Sequence, residues 1–221
     1  MFENLWGDNR GLARIFQDFG QMLEDGRHVF AAACHALVGG TRTDAVEKDL
    51  YATDKRINKV EQRIRRELVV HMSVGGRADI PICLALMSIV KDAERIGDYA
   101  KNILDVARAC PGFHQDELAA DLTQVKDKVS RLLAKMRSLY DTQDEEHARS
   151  FVTQADAILD HCDAKVTALV SGGSNSSHAV AAALAYRYVK RVAAHGMNIV
   201  SSVFMPLDKL DFYDEDRASR E

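Results

Sequence analysis

The decapeptide Glu94-Arg95-Ile96-Gly97-Asp98-Tyr99-Ala100-Lys101-Asn102-Ile103 returns later in the chain in altered form. The second copy reads Lys190-Arg191-Val192-Ala193-Ala194-His195-Gly196-Met197-Asn198-Ile199. Arg95/Arg191, Ile96/Val192, Asn102/Asn198 and Ile103/Ile199 keep register at an offset of 96 residues (190 − 94). In a chain of 221 residues, a repeat of nearly half the length means two copies of one supersecondary unit. The copies differ where it matters chemically. Glu94 and Asp98, carboxylates four residues apart, become Lys190 and Ala194. One half therefore carries a charged site that the other has lost.

The helical period runs through the whole sequence, with no lasting strand-like alternation. Breaks fall at Gly39-Gly40-Thr41, Ser73 to Arg77, Cys110-Pro111-Gly112, Asp141-Thr142-Gln143 and Ser171 to Ser174. They predict six helices over 9–38, 43–71, 79–109, 114–140, 144–170 and 175–205. Thr41 to Asp44 and Ser174 to Ser177 supply N-cap candidates beside glycines that end the preceding helices. Helices two and five confirm the duplication. Val46, Leu50, Thr53, Ile57, Val60, Ile64 and Leu68 share one face; Val152, Ala155, Leu159, Cys162, Val166 and Val170 share its counterpart. The offset here is 102 residues (159 − 57), so the second copy has the shorter hairpin turn. Long helices and short turns predict an all-α protein: two tandem three-helix bundles of six antiparallel helices, over 1–112 and 113–207. An acidic tail, 208–221, is expected to fray.

Composition narrows the function. With 47% hydrophobic residues and 28% charged, the chain can bury a real core. A net charge of −4 argues against a nucleic-acid partner. Cys34, Cys83, Cys110 and Cys162 are scattered, and the start lacks a signal-peptide pattern; reduced thiols in a cytoplasmic protein are the expectation. The longest stretch free of Asp, Glu, Lys and Arg, Val192 to Leu207, is too short to span a bilayer, so membrane contact would pass through a partner.

Flanking the apolar face of helix two is a polar stripe, Asp54, Asn58 and Glu61; helix five repeats it as Asp156, Asp160 and Asp163. On helix three, Glu94, Asp98 and Asp105 form a stripe opposite Ile89, Ala93, Ile96, Ala100, Ile103 and Ala107. Stacked like charges cost a few tenths of a kcal/mol and need an offset. Lys91 and Lys101 can supply it, or a bound cation can. Oxygen ligands on two adjacent helices suit Mg, Mn, Ca or Fe rather than structural zinc. In the second copy Lys190 can supply the positive charge directly, an ion pair in place of a metal.

These residues resemble the PhoU family, regulators linked to bacterial phosphate uptake. The signature Glu-Arg-Ile-(Gly/Ala)-Asp-(aromatic or His)-Ala-x-Asn-Ile is matched almost throughout by Glu94 to Ile103. Lys190 to Ile199 matches it at Arg191, Ala193, His195, Asn198 and Ile199. The resemblance implies two tandem three-helix bundles assembled as a homodimer or higher oligomer. It also implies negative control of phosphate uptake by contact with a phosphate transporter or a sensor kinase. It further implies a metal ion or cluster (Fe, Mn, Zn or Mg) on surface carboxylates. That role carries over to Glu94, Asp98, Asp54 and Asn58, with Glu61, Asp156 and Asp160 as secondary ligands. A metal-free helical adaptor for another transporter or process is the alternative.

An enzyme is not expected. Di-iron bundles use paired Glu-x-x-His motifs; the nearest forms, Asp25-x-x-His28 and Asp144-x-x-His147, lie near helix ends and read as surface residues. Nucleophile-elbow, phosphate-loop and zinc-protease motifs are missing. His195 parallels Tyr99 and is expected to bond locally, and His28, His35, His71, His161 and His178 show no ligand spacing. Met22, Met87, Met136 and Met197 read as core. Trp6 is expected to dock on the body or a partner. Phosphate would reach the site only by bridging a cation.

Overall fold

In a computed structural model, the described residues are 10–75, 77–173 and 176–210. They form six α-helices: α1 (Arg10–Val38), α2 (Thr43–Val74), α3 (Ile80–Ala109), α4 (Leu118–Thr142), α5 (Glu145–Ser171) and α6 (Ser177–Ser201). The all-α duplicated bundle expected from the repeat is what the chain builds. Trp6 and the tail from Asp211 onward lie outside the described residues, as does the Ser174 cap candidate.

Boundaries shift where local chemistry intervenes. Helix α2 runs past His71 to Val74, and the His71 ring meets Asp79 at 2.8 Å across the turn. Helix α4 starts at Leu118 rather than 114. A short 3₁₀ turn, Phe113–Gln115, buries Phe113 first, and Asp116 Oδ1 then accepts the Leu118 N–H at 2.9 Å. The cap of α6 is Ser176, whose hydroxyl accepts the Ala179 N–H at 3.0 Å. Helix α6 stops at Ser201, ahead of Pro206. The first tail residues are not loose: Leu207–Lys209 make a 3₁₀ turn and Leu210 is buried.

Helices α1, α2 and α3 pack together, as do α4, α5 and α6, and one continuous core joins the halves through α3 against α6 and α1 against α4. The apolar spines land inside: Leu50, Ile57, Ile64 and Leu68 on α2, and Ala155, Leu159 and Cys162 on α5. Each large apolar side chain so removed from water contributes about 1.5–3 kcal/mol. Val170, in the last turn of α5, departs from expectation and is 72% exposed. Between α1 and α4, the Phe19 and Tyr140 rings meet edge to face at 4.9 Å.

The α3–α6 seam shows how the copies are related. Tyr99 and His195, equivalent positions of the repeat, stack on each other at 5.6 Å with 21° between planes. Asp92 on α3 reaches His195 and Asn198 on α6, whereas Tyr99, further along α3, reaches the earlier Tyr188. The two helices therefore run antiparallel about a local pseudo-twofold at the Tyr99–His195 stack.

Candidate functional site: a carboxylate–lysine seam between the second and third helices

On α2 the positions i, i+4 and i+7 bring Asp54, Asn58 and Glu61 along one edge. On α3 the same geometry aligns Glu94 with Asp98. Gly97 lets the helices approach: a Cβ there would stand 3.3 Å from Ile57 Cδ1 and 3.4 Å from Asp54 Oδ1. The stripes are thus brought together, but not at the surface. Asp54 is 7% exposed and Glu94 6%, and Glu61 is buried beside them. The expectation of surface carboxylates fails because a helix edge that flanks an apolar face is itself covered when the neighbouring helix packs this closely. Asp98 and Asn58 are half-buried and Asp105 is exposed.

Lysines from α3 close the seam. Lys101 Nζ donates to Asp54 Oδ2 at 3.0 Å and lies 2.9 Å from Asp98 Oδ1, bridging the two helices. Asn58 Nδ2 donates to Asp54 Oδ2 at 3.3 Å, and Arg95 pairs with Asp98 at 3.3 Å. A turn and more away, Lys91 Nζ is 2.7 Å from Glu94 Oε2 and 4.0 Å from Glu61 Oε1, which also accepts Arg65 Nε at 2.9 Å. Burial works against the charged form of Lys101. Hydrogen bonds to Asp98 and Asp54 outweigh it, so its ammonium is held above the ordinary lysine range. Asp54 Oδ1 and Glu94 Oε2 have ammonium groups at ion-pair distance but no aligned hydrogen bond.

Those two oxygens would suit a hard cation. Around each, however, an ammonium of the chain already sits where a cation would be drawn. Among the described residues no three His, Cys, Asp or Glu side chains converge as a metal site does. As arranged here, Glu94, Asp98, Asp54 and Asn58 fit an ammonium rather than a metal ion.

The second half shows the charge exchange directly. Lys190, standing where Glu94 stands, meets Asp163 at 2.6 Å, as the sequence led one to expect. Asp156 is half-buried and Asp160 exposed.

Other polar clusters escaped sequence reasoning. His195 does not bond locally: its Nδ1 lies 2.7 Å from the buried Asp92, which also accepts Asn198 Nδ2 at 3.2 Å. Asp25, expected at the surface, is buried and held by Arg56 at 2.7 and 2.8 Å. Asp121 ties three helices together, accepting Tyr186 Oη at 2.5 Å and meeting His161 Nε2 at 3.1 Å and Lys165 at 3.2 Å. Partial burial raises the Asp121 pKa, but these three partners outweigh it and hold the carboxyl at about 2. Asp144 caps α5 and pairs with the exposed His147. Only the repeat offset hinted at any of this, by placing His195 opposite Tyr99.

Comparison with known proteins bears on what such a bundle does. Residues 19–107 match the model of the PhoU domain. A phosphate-specific transport system accessory protein PhoU homolog from Synechocystis sp. is 26% identical over 160 residues, 68% of this chain and 69% of that protein. PhoU from Pseudomonas aeruginosa has the same fold, with a TM-score of 0.78 at 21% identity, over 88% of this chain and 96% of that one. The phosphate transport system regulatory protein PhoU from Streptococcus pneumoniae follows at a TM-score of 0.71 and 19% identity, over 87% and 92%.

Proposed function

Because this chain belongs to the PhoU family, we propose that it regulates phosphate transport by protein–protein contact with a phosphate transporter or its sensor kinase, without catalysing a reaction. The observation that carries this reading is the PhoU domain over 19–107, set in a doubled six-helix bundle of the same fold as solved PhoU proteins. No helix among the described residues is long and apolar enough to cross a membrane. A membrane transporter would therefore be met as a partner, at the inner face of the membrane, and by a homodimer as readily as by one copy.

We further propose that the first-half seam works metal-free, with Lys101 and Lys91 as the internal counter-charges. Glu94, Asp98, Asp54 and Asn58 are the residues that would hold a metal ion, and it would have to displace both ammonium groups. Two measurements test the pair of statements. Deleting the gene should raise radiolabelled phosphate uptake in phosphate-replete cells, with the wild-type chain restoring control; unchanged uptake would overturn the regulatory reading. Elemental analysis after exposure to Fe, Mn, Zn and Mg should find no stoichiometric metal in wild type or in Glu94→Ala/Asp98→Ala. Metal held by wild type and lost in the double variant would overturn the metal-free seam alone.

A further inference from the structure

We infer that the groove between α4 and α5 is a docking site for an acidic, amphipathic peptide segment of a partner protein. The inference deepens the regulatory reading and rests on it. In the first half, α1 and α2 pack along their length; α4 and α5 touch sparingly and leave a channel between them. Two cavities of about 320 Å³ and 450 Å³ adjoin there, sharing Leu132, Lys135 and Gln154, so they form one trough. Val125, Leu132 and Ile158 give it an apolar floor, and Phe151 continues that floor toward the start of α5.

The rim has the opposite sign to the molecule. Lys128, Arg131 and Lys135 stand about one turn apart on α4, all exposed, with no ion pair among the described residues. Neighbouring cations on α4 and α5 are paired: Arg137 with Asp141, Lys126 with Asp127 and Lys165 with Asp121. At the far end the lining is mixed, with Asp144 paired to the exposed His147 at 2.7 Å. On a chain of net charge −4, three unpaired cations along an apolar trough select an occupant with carboxylates beside apolar anchors. The floor supplies affinity by desolvating the anchors, and the rim sets orientation and association rate.

The test is fluorescence anisotropy of a fluorescein-labelled helical peptide with Leu at every third or fourth position and Glu between, titrated with the full chain. We expect saturable binding that weakens about 10-fold or more, at least 1.4 kcal/mol, in each of two variants. Lys128→Glu/Arg131→Glu/Lys135→Glu reverses the rim at exposed positions, and Ala157→Trp plugs the mouth of the trough. Circular dichroism checks that both remain helical. Absence of binding by wild type overturns the inference, and so does binding indifferent to both variants. Equal binding of a peptide with Lys in place of Glu also overturns it, as does capture by phosphatidylserine vesicles when the peptide does not bind. If phosphate control in cells survives any of these failures, the groove assignment falls and the regulatory reading stands.

Discussion

Removing the Lys101 ammonium would leave Asp54 and Asp98 facing each other across α2 and α3, with Asp54 buried. Breaking a fully buried pair costs roughly 3–5 kcal/mol. Because the Lys101 side chain keeps 24% of its exposure, solvent screens part of that, and Lys101→Met should lower stability by about 2 kcal/mol in urea unfolding. Adding Asp54→Asn should recover much of the loss; no recovery would mean that lysine packing, not charge, is what matters. The pH dependence has a definite sign. A lysine held above its ordinary range contributes fully at pH values below about 10.4, and that contribution is lost as pH rises through the higher folded value. At this scale the sequence was half legible. Lys91 with Glu94 and Lys101 with Asp98 follow from i, i+3 spacing. Asp92 with His195 did not, since partners 103 residues apart leave no local trace.

Among the elements, α3 has little clearance toward α2, because Gly97 faces Ile57 and Asp54 there. Gly97→Leu should push Ile57 and Asp54 aside and destabilise by about 1–3 kcal/mol, the range for overpacked cores. Gly97→Ala should be near neutral. Its methyl needs a few tenths of an ångström, but alanine is favoured over glycine in a helix by about 1 kcal/mol. The second copy already carries Ala193 at this position, buried and accommodated. Thermal melts of the two variants decide the matter: equal gains would show that propensity rather than clearance controls the site. Helices were legible in number and near position because glycine and proline punctuate them. The α4 start was not, because the buried Phe113 draws its turn into a 3₁₀ form that helical periodicity does not register. Nor was the depth of the carboxylate stripe, which depends on how closely a second helix lies.

At the scale of the whole molecule, several second-half carboxyls are held below their ordinary range. Asp116, held down by the Leu118 N–H and His178, sits with Asp121 and Asp144 in the second half. Asp144 owes its depression first to the His147 N–H. The first half has Asp44, paired with Arg42 in an exposed turn. Carboxyls with lowered folded values stabilise above the unfolded carboxylate range near 4, and that support fades as pH falls toward about 2 for Asp121. Hydrogen exchange followed by mass spectrometry from pH 5 downward should therefore show α4–α6 losing protection before α1–α3. Simultaneous loss would mean that the shared core couples the halves too tightly for local charges to separate them.

The stack of Tyr99 on His195 places two equivalent positions of the repeat in contact with each other. A surface that meets its own duplicate across such an axis is self-complementary. Two copies of one three-helix unit that meet across such an axis need no second kind of subunit: each is the other's lid, and the intervening chain ties lid to box. Divergence could then proceed on one side at a time. Glu94 stands on one side and Lys190 at the equivalent place on the other, while both copies present a flat ring at the axis.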